Sequence, residues 1–211
     1  AALGFDPERL RLVPLGVAPS EPEAPGAVAG VRERHGLERP YVLWVGTIEP
    51  RKNLPVLLQA FGRVDAADVD LVLVGPEGWS TELAPLVEPL GRRVRVLGFV
   101  PDDDLAALYT GAELLVLPRS REGFGLPALE AMARGTAVLG SAGTAVAEVV
   151  GDGGVVIDPS DVDGWAAALS DLLADPARCA ELGRRGRARS AAYTWERTAE
   201  LTVAAYRDAL A

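Results

Sequence analysis

Six short, almost wholly apolar runs recur along the chain with amphipathic stretches between them. This alternation limits the possible fold more than any other feature of the sequence. The runs are Tyr41–Val45 (YVLWV), Leu71–Val74 (LVLV), Val94–Leu97 (VRVL), Leu114–Leu117 (LLVL), Ala137–Gly140 (AVLG) and Val155–Ile157 (VVI). Most are continuously hydrophobic, as expected of strands covered on both faces. Helical spacing covers Leu54–Val64, Thr81–Leu90, Asp103–Tyr109 and Pro127–Arg134. Strand followed by helix, repeated, implies right-handed crossovers and an α/β fold: a Rossmann-like open parallel sheet with helices on both faces. Ligands in such sheets bind beyond the carboxyl ends of the strands. Function is therefore to be sought in the strand-to-helix loops.

The flanks are simpler. The C-terminal third reads as three helices, Val162–Ala174, Pro176–Ser190 and Trp195–Leu210, the last with Thr194 as N-cap and forming the terminal helix of 191–211. Residues 1–38 read as a linker-like lead-in, with Pro and Glu concentrated from Pro19 to Pro25. At 211 residues the whole chain is expected to be one large domain. No apolar run approaches the roughly 18 residues that would cross a bilayer, and no charged-then-apolar leader opens the sequence. A cytoplasmic location is the expectation.

Composition removes several chemistries. With 49% hydrophobic and 24% charged residues the chain is globular rather than disordered. Its formal charge of −9 argues against nucleic acid as a partner, so any anion must be gripped locally. Cys179 is the only cysteine and His35 the only histidine. An internal disulfide, a cysteine metal cluster, His-ligated zinc and a Ser-His-Asp triad are thereby excluded within the chain. Twenty of the 21 basic residues are Arg; the exception is Lys52. Either it is incidental, or a compact ammonium is required there.

Two loops have features that suit a phosphate. The first, Gly46-Thr47-Ile48-Glu49-Pro50-Arg51-Lys52-Asn53, leads into a helix that Asn53 is placed to cap. Arg51 and Lys52 then stand at a helix N-terminus, where the macrodipole disfavours positive charge. A bound anion would explain them, as would an ordinary surface pair. In the second loop, Pro118 to Glu130, Pro127 fits the first helical position and Leu126 the N-cap, a residue with no side-chain acceptor. Gly123 and Gly125 let backbone approach a ligand. Glu122 and Glu130 bracket this loop; carboxylates there suit sugar hydroxyls better than a diphosphate, which they would repel.

These residues resemble the retaining glycosyltransferases of family 4, which have the GT-B fold. Glu122-Gly123-Phe124-Gly125-Leu126 through Glu130-Ala131-Met132-Ala133 looks like the family's E-x7-E signature. Gly135-Thr136-Ala137-Val138, Glu148-Val149-Val150 and Gly153 to Pro159 follow in the same order, and Gly46–Asn53 and Gly98-Phe99-Val100-Pro101 look like its phosphate loop and base-binding turn. The resemblance runs from about Leu12 to the C-terminus and covers the family's C-terminal, donor-binding domain. It implies a nucleoside-diphosphate sugar as donor, GDP-mannose being suggested by the Glu-Pro-Arg-Lys-Asn form. Gly46 and Thr47 would belong to the phosphate loop, and Arg51 and Lys52 would neutralise the leaving diphosphate. The backbone of Gly123, Phe124, Gly125 and Leu126 would hold the distal phosphate, Glu130 the ribose and Glu122 the sugar. Phe99 and Val100 would meet the base. It implies no cofactor and no metal, an N-terminal acceptor-binding domain outside this sequence, and little turnover without it. It is compatible with peripheral association at the inner face of the membrane in a full-length enzyme.

Two local departures are Thr47, where the family often has Arg, and Ala137, where it often has Pro. Two other classes compete. Gly123, Gly125 and Ala128 spell the G-x-G-x-x-A of a dinucleotide-dependent oxidoreductase, although five residues separate them from the strand. A non-catalytic interaction domain on a similar sheet would leave the cations at the helix start without a purpose. Asp102-Asp103-Asp104 reads as a cap at a helix start rather than a metal site, and Arg184, Arg185, Arg187 and Arg189 as a solvated face rather than a lipid site. His35 and Cys179 read as incidental.

Overall fold

A computed structural model describes residues 10–79 and 83–210. Strands β1 (Tyr41–Val45), β2 (Asp70–Val74), β3 (Val94–Gly98), β4 (Leu114–Leu117), β5 (Val138–Ser141) and β6 (Gly154–Ile157) form one sheet. All neighbours are parallel, in the order β3-β2-β1-β4-β5-β6. The sheet therefore reverses its direction of growth between β1 and β4, and that switch point opens the crevice in which such sheets bind ligands.

Why the inner strands are almost wholly apolar is visible in the two cores. Tyr41, Leu43 and Val45 of β1 face one side; Val42 and Trp44 face the other, and all five are buried. On the first side lie α4 (Asp102–Gly111), α5 (Leu126–Ala133) and α6 (Ala145–Val150). On the second lie α2 (Leu54–Arg63) and α7 (Val162–Ala174), anchored by Phe61 and Trp165. A period of two with helices on both faces gives an unbroken hydrophobic run. Helices α8 (Pro176–Ser190) and α9 (Trp195–Leu210) close the C-terminal end, the latter capped by Thr194, whose Oγ1 accepts from the Arg197 N–H at 3.1 Å.

Three expectations need correction. Residues 1–38 are not all linker: Pro25–Arg34 form helix α1, which packs Val31 into the first core. Its weak amphipathicity hid it, although Pro25 at the first helical position is a recognised start. The helix expected over Thr81–Leu90 is one short turn, α3 (Ala84–Val87), followed by 3-10 turns over Glu88–Arg93. Pro85 and Pro89 cannot donate, and Gly91 leaves helical geometry, so a longer helix cannot propagate; Thr81 and Glu82 lie outside the described residues. Finally, β5 begins one residue later than expected, at Val138.

Candidate functional site

The exits of β1 and β4 meet, as adjacency of the two strands requires. Gly46 continues β1, its N–H donating to Val74 O at 2.9 Å, and Gly75 passes so close that a Cβ there would lie 2.0 Å from Gly46 O. The chain then makes a 3-10 turn over Pro50–Lys52 before entering α2. From the other side the Ser120 N–H donates to Arg51 O at 3.0 Å, tying the β4 exit to that turn.

Glu122 sits where the two exits join and gathers the cations. Lys52 Nζ donates to its Oε2 at 3.0 Å, Arg119 Nη1 lies 2.7 Å from the same oxygen, and Arg51 Nη1 lies 3.7 Å from Oε1. Arg51 also reaches Glu49 Oε1 at 2.6 Å. Three cations thus face two carboxylates, which leaves the cluster one positive charge. Arg51 remains half-exposed, whereas the side chains of Lys52 and Arg119 keep 9% and 1% of their exposure. Burial pushes the Arg119 guanidinium down to about 10, with Glu122 pulling against it. The positive charge at the start of α2 is therefore largely compensated by protein carboxylates rather than left bare.

Helix α5 opens without a side-chain cap. Gly125 is its N-cap, at φ +102°, and Leu126 and Pro127 are its first two residues. The cap thus falls one residue before the expected Leu126, and the physical consequence, an N-terminus with no side-chain acceptor, is unchanged. Asn53 is a fuller correction. It occupies the N-cap of α2 in a left-handed conformation (φ +56°) but does not cap; its Nδ2 donates instead to Pro159 O at 2.6 Å, tying this loop to the β6 exit.

A cavity of about 560 Å³ is lined by Lys52, Glu122, the loop Gly123–Pro127, Glu148 and Tyr193. Phe124 packs edge-on against Tyr193, ring centroids 6.1 Å apart. A second cavity of about 420 Å³ adjoins it at Leu126 and holds Glu130, Tyr109 and Arg134. There the Tyr109 hydroxyl donates to Glu130 Oε2 at 2.8 Å, and burial with the Glu130 charge raises the phenol well above its ordinary pKa. Asp102, at the start of α4, reaches this second cavity.

The other expected residues are placed less simply. Phe99 is 77% exposed beyond β3, with β2 and β1 between that strand and β4, which leads to Glu122. Val100 is 4% exposed, its side chain in the core, which leaves only its backbone to meet a ligand. Thr47 turns its methyl toward Gly78 in the β2 exit rather than toward the cations. Asp102–Asp104 fill the first turn of α4, and Asp104 binds Arg34 at 2.5 Å and His35 Nε2 at 2.9 Å, so His35 is a partner rather than incidental. Arg184 and Arg185 share Glu181, Arg187 pairs with Glu21, and Arg189 donates to the Val149 and Glu148 carbonyls. The last is a structural clasp rather than a solvated residue.

Sequence reasoning missed Arg119 and Glu49. The residue types carried a signal: an Arg directly after a buried strand and Pro118 must find an anion, and Glu122 is three residues further along the same loop. It also missed the segment Leu12–Ser20, which lines both cavities and is held by the Val17 N–H donating to Tyr193 O at 3.0 Å.

Comparisons with known proteins agree with this architecture. The chain is 38% identical over 193 residues to an O-antigen chain mannosyltransferase B of Escherichia coli, covering 88% of this chain and 51% of that protein. It resembles a solved sucrose-phosphate synthase from Thermosynechococcus elongatus with a TM-score of 0.82 and 32% identity, over 95% of this chain and 52% of the other. The Anabaena protein Alr3699/HepE, solved with UDP and glucose, shares the fold at a TM-score of 0.80 and 19% identity, over 94% of this chain and 55% of that one. The chain therefore spans about half the length of each of these relatives. None of these favours an oxidoreductase or a non-catalytic domain. Residues 31–189 match the family model for glycosyl transferases group 1, and the chain belongs to that family.

Proposed function

We propose that the chain is the donor-binding half of a retaining glycosyltransferase of family 4, holding a nucleoside-diphosphate sugar of the GDP-mannose type. The observation that carries this reading is the junction of the β1 and β4 exits. It brings Lys52 and the uncapped start of α5 to one cavity with Glu122 on its wall, and sets Arg51 3.7 Å from that carboxylate. A diphosphate entering there would meet two cations and the backbone N–H groups of the Phe124–Leu126 loop. Glu130 would accept from the ribose in the adjoining cavity, and Glu122 would accept from the sugar. The Gly98–Pro101 turn would meet the base through Phe99 and the backbone of Val100.

The chemistry follows from the charges. In front-face displacement the bond from the anomeric carbon to the diphosphate oxygen breaks as the acceptor hydroxyl oxygen bonds to the same face, and the hydroxyl proton passes to the departing diphosphate oxygen. Negative charge then accumulates on the departing diphosphate, where Arg51, Lys52 and the α5 start are aimed. Stabilising that group supplies most of the acceleration. These two cations do the work that a metal would do elsewhere. On this reading the acceptor is bound by a second domain, and these residues by themselves bind donor and turn over little. The mannosyl preference draws on the Escherichia coli relative, and a nucleotide-sugar ligand is in keeping with the Anabaena protein of the same fold.

Isothermal calorimetry with GDP, UDP, ADP and NAD tests the proposal. Acylation of the sole lysine is a poor probe, because Lys52 is 7% exposed and ion-paired before any ligand arrives. One nucleoside diphosphate should bind, and Lys52→Met and Glu130→Ala should each weaken it by about 1–3 kcal/mol, through a lost charge-assisted bond and lost ribose bonds respectively. NAD binding without nucleoside-diphosphate binding would overturn the reading.

A further inference from the structure

Glu122 has more cations than its charge requires, and they differ in what they can do. Lys52 lines the open cleft, and Arg51 is half-exposed 3.7 Å from Glu122. Arg119 does not. Its side chain is 1% exposed, and Nη2 is fixed on Val45 O at 2.7 Å. Gly46 leaves the room for it, since a Cβ there would lie 3.2 Å from Nη2. Nη1 lies 2.7 Å from Glu122 Oε2, the same oxygen that Lys52 holds at 3.0 Å. Among the described residues neither Nε nor Nη1 has a hydrogen-bond partner, so the group is held by charge rather than by saturated hydrogen bonding.

Resting on the donor-binding reading above, a conflict then arises. A diphosphate that engages Lys52 and Arg51 draws them away from Glu122. A largely buried carboxylate left alone beside a new anion either resists binding or takes up a proton. The Gly123 N–H also donates to Glu122 Oε1, at 3.2 Å, but one neutral donor does not replace two cations, and the other groups facing Glu122 among the described residues add none. Glu148 from α6 lines the same cavity as a second carboxylate, Tyr193 from the α8–α9 turn is neutral, and Glu49 stands behind Arg51. We propose that Arg119 is a positioning residue: a captive counter-ion that keeps Glu122 ionised and in place when the donor diphosphate takes Lys52 and Arg51. Carboxylate and diphosphate then share one cleft without a proton.

The test measures protons. Calorimetric titration with GDP, with UDP and ADP alongside, is run near pH 7 in buffers of differing ionisation enthalpy. Compared with the unmodified chain, Arg119→Met should bind about tenfold more weakly or worse and take up close to one additional proton, because Glu122 must now be neutralised. Its affinity should fall as pH rises. Arg119→Met combined with Glu122→Gln should lose the additional proton and recover most of the affinity for the nucleoside diphosphate. Unchanged proton uptake in Arg119→Met, or equal weakening in the double variant, would overturn the proposal by reducing Arg119 to packing. Difference infrared spectroscopy on the unmodified chain covers the case in which Arg119→Met does not fold. No protonated-carboxyl band should appear on nucleotide addition; one that vanishes in Glu122→Gln refutes the assignment. Failure of the unmodified chain to bind any of the three nucleotides would instead sink the donor-binding reading, and this proposal with it.

Discussion

Two helix starts at the carboxyl edge of the same sheet are built in opposite ways. At the β6-to-α7 exit the chain satisfies itself. Asp158 accepts from the Ser160 N–H at 2.8 Å, Asp161 accepts from the Gly164 N–H at 2.9 Å, and Trp165 Nε1 donates to Asp158 O at 2.9 Å. At the β4-to-α5 exit there is no side-chain cap and no acid in the first turn, and the N-cap is a glycine at φ +102°. Every helix start carries orphan N–H groups and about half a positive charge. One exit spends both on its own carboxylates and the other leaves both facing a cavity. The contrast separates a helix start made for stability from one left available to an anion, and it does so without reference to any relative.

The contrast breaks most readily at Gly125. A Cβ there would sit 3.2 Å from Val146 Cγ2 on a backbone that L side chains rarely adopt. Gly125→Ala should therefore cost about 1–3 kcal/mol of stability if the backbone is held, or move the loop if it is not. In either case nucleoside-diphosphate affinity should fall by more than an order of magnitude. Denaturant unfolding and calorimetry on the same preparation separate the two effects. Unaltered affinity would mean that the Gly-Phe-Gly loop is no cradle.

The closed exit gives the reciprocal expectation. Asp161→Ala removes a side-chain cap and should cost about 1 kcal/mol, seen as a melting temperature lower by a few degrees for a domain of this size. Nucleotide affinity should stay as it was. A parallel loss of affinity would show that the two exits are not independent, and the Asn53 bond to Pro159 O is the contact through which they would communicate.

How much of this was legible in the sequence depends on range. The four inner strands were readable because burial on both faces leaves almost no polar position to interrupt them, and β1 is buried at all five residues; the edge strands β3 and β6 are only partly buried and were read from their short apolar runs. The two loops were readable because Arg51, Lys52 and the glycines are unusual where they stand. Helix α1 was not, since only Val31 of its ten residues is buried and its pattern has little amphipathic contrast. Asn53 was assigned the generic task of its residue type because its partner lies 106 residues away. Arg119 was passed over for the same reason: its value depends on Val45 O, 74 residues earlier, and on the space beside Gly46. Local chemistry identifies which loops matter; the counter-charges within them are fixed by strands adjacent only in space.

A third exit, from β3 into α4, sharpens the comparison by belonging to neither type. Its first turn holds Asp102, Asp103 and Asp104, which complement the helix dipole without capping it. Asp104 turns outward to Arg34 and His35 at the end of α1, and those hydrogen bonds hold its carboxyl below the usual carboxylate range. A carboxyl whose pKa is lower in the fold contributes stability above its unfolded value, near 4, and loses that contribution as pH falls through the folded value. Asp104→Asn should therefore lower the melting temperature slightly at pH 7, by an amount corresponding to less than about 1 kcal/mol because Arg34 is largely exposed. The difference from the unmodified chain should close as the solution is acidified through and below the folded value. Nucleotide affinity should not respond, since this pair faces α1 rather than the cleft. A melting difference that widened in acid would mean that Asp104 is neutral in the native chain, and α4 would then owe its position to Val100 and Leu108 in the core beneath it.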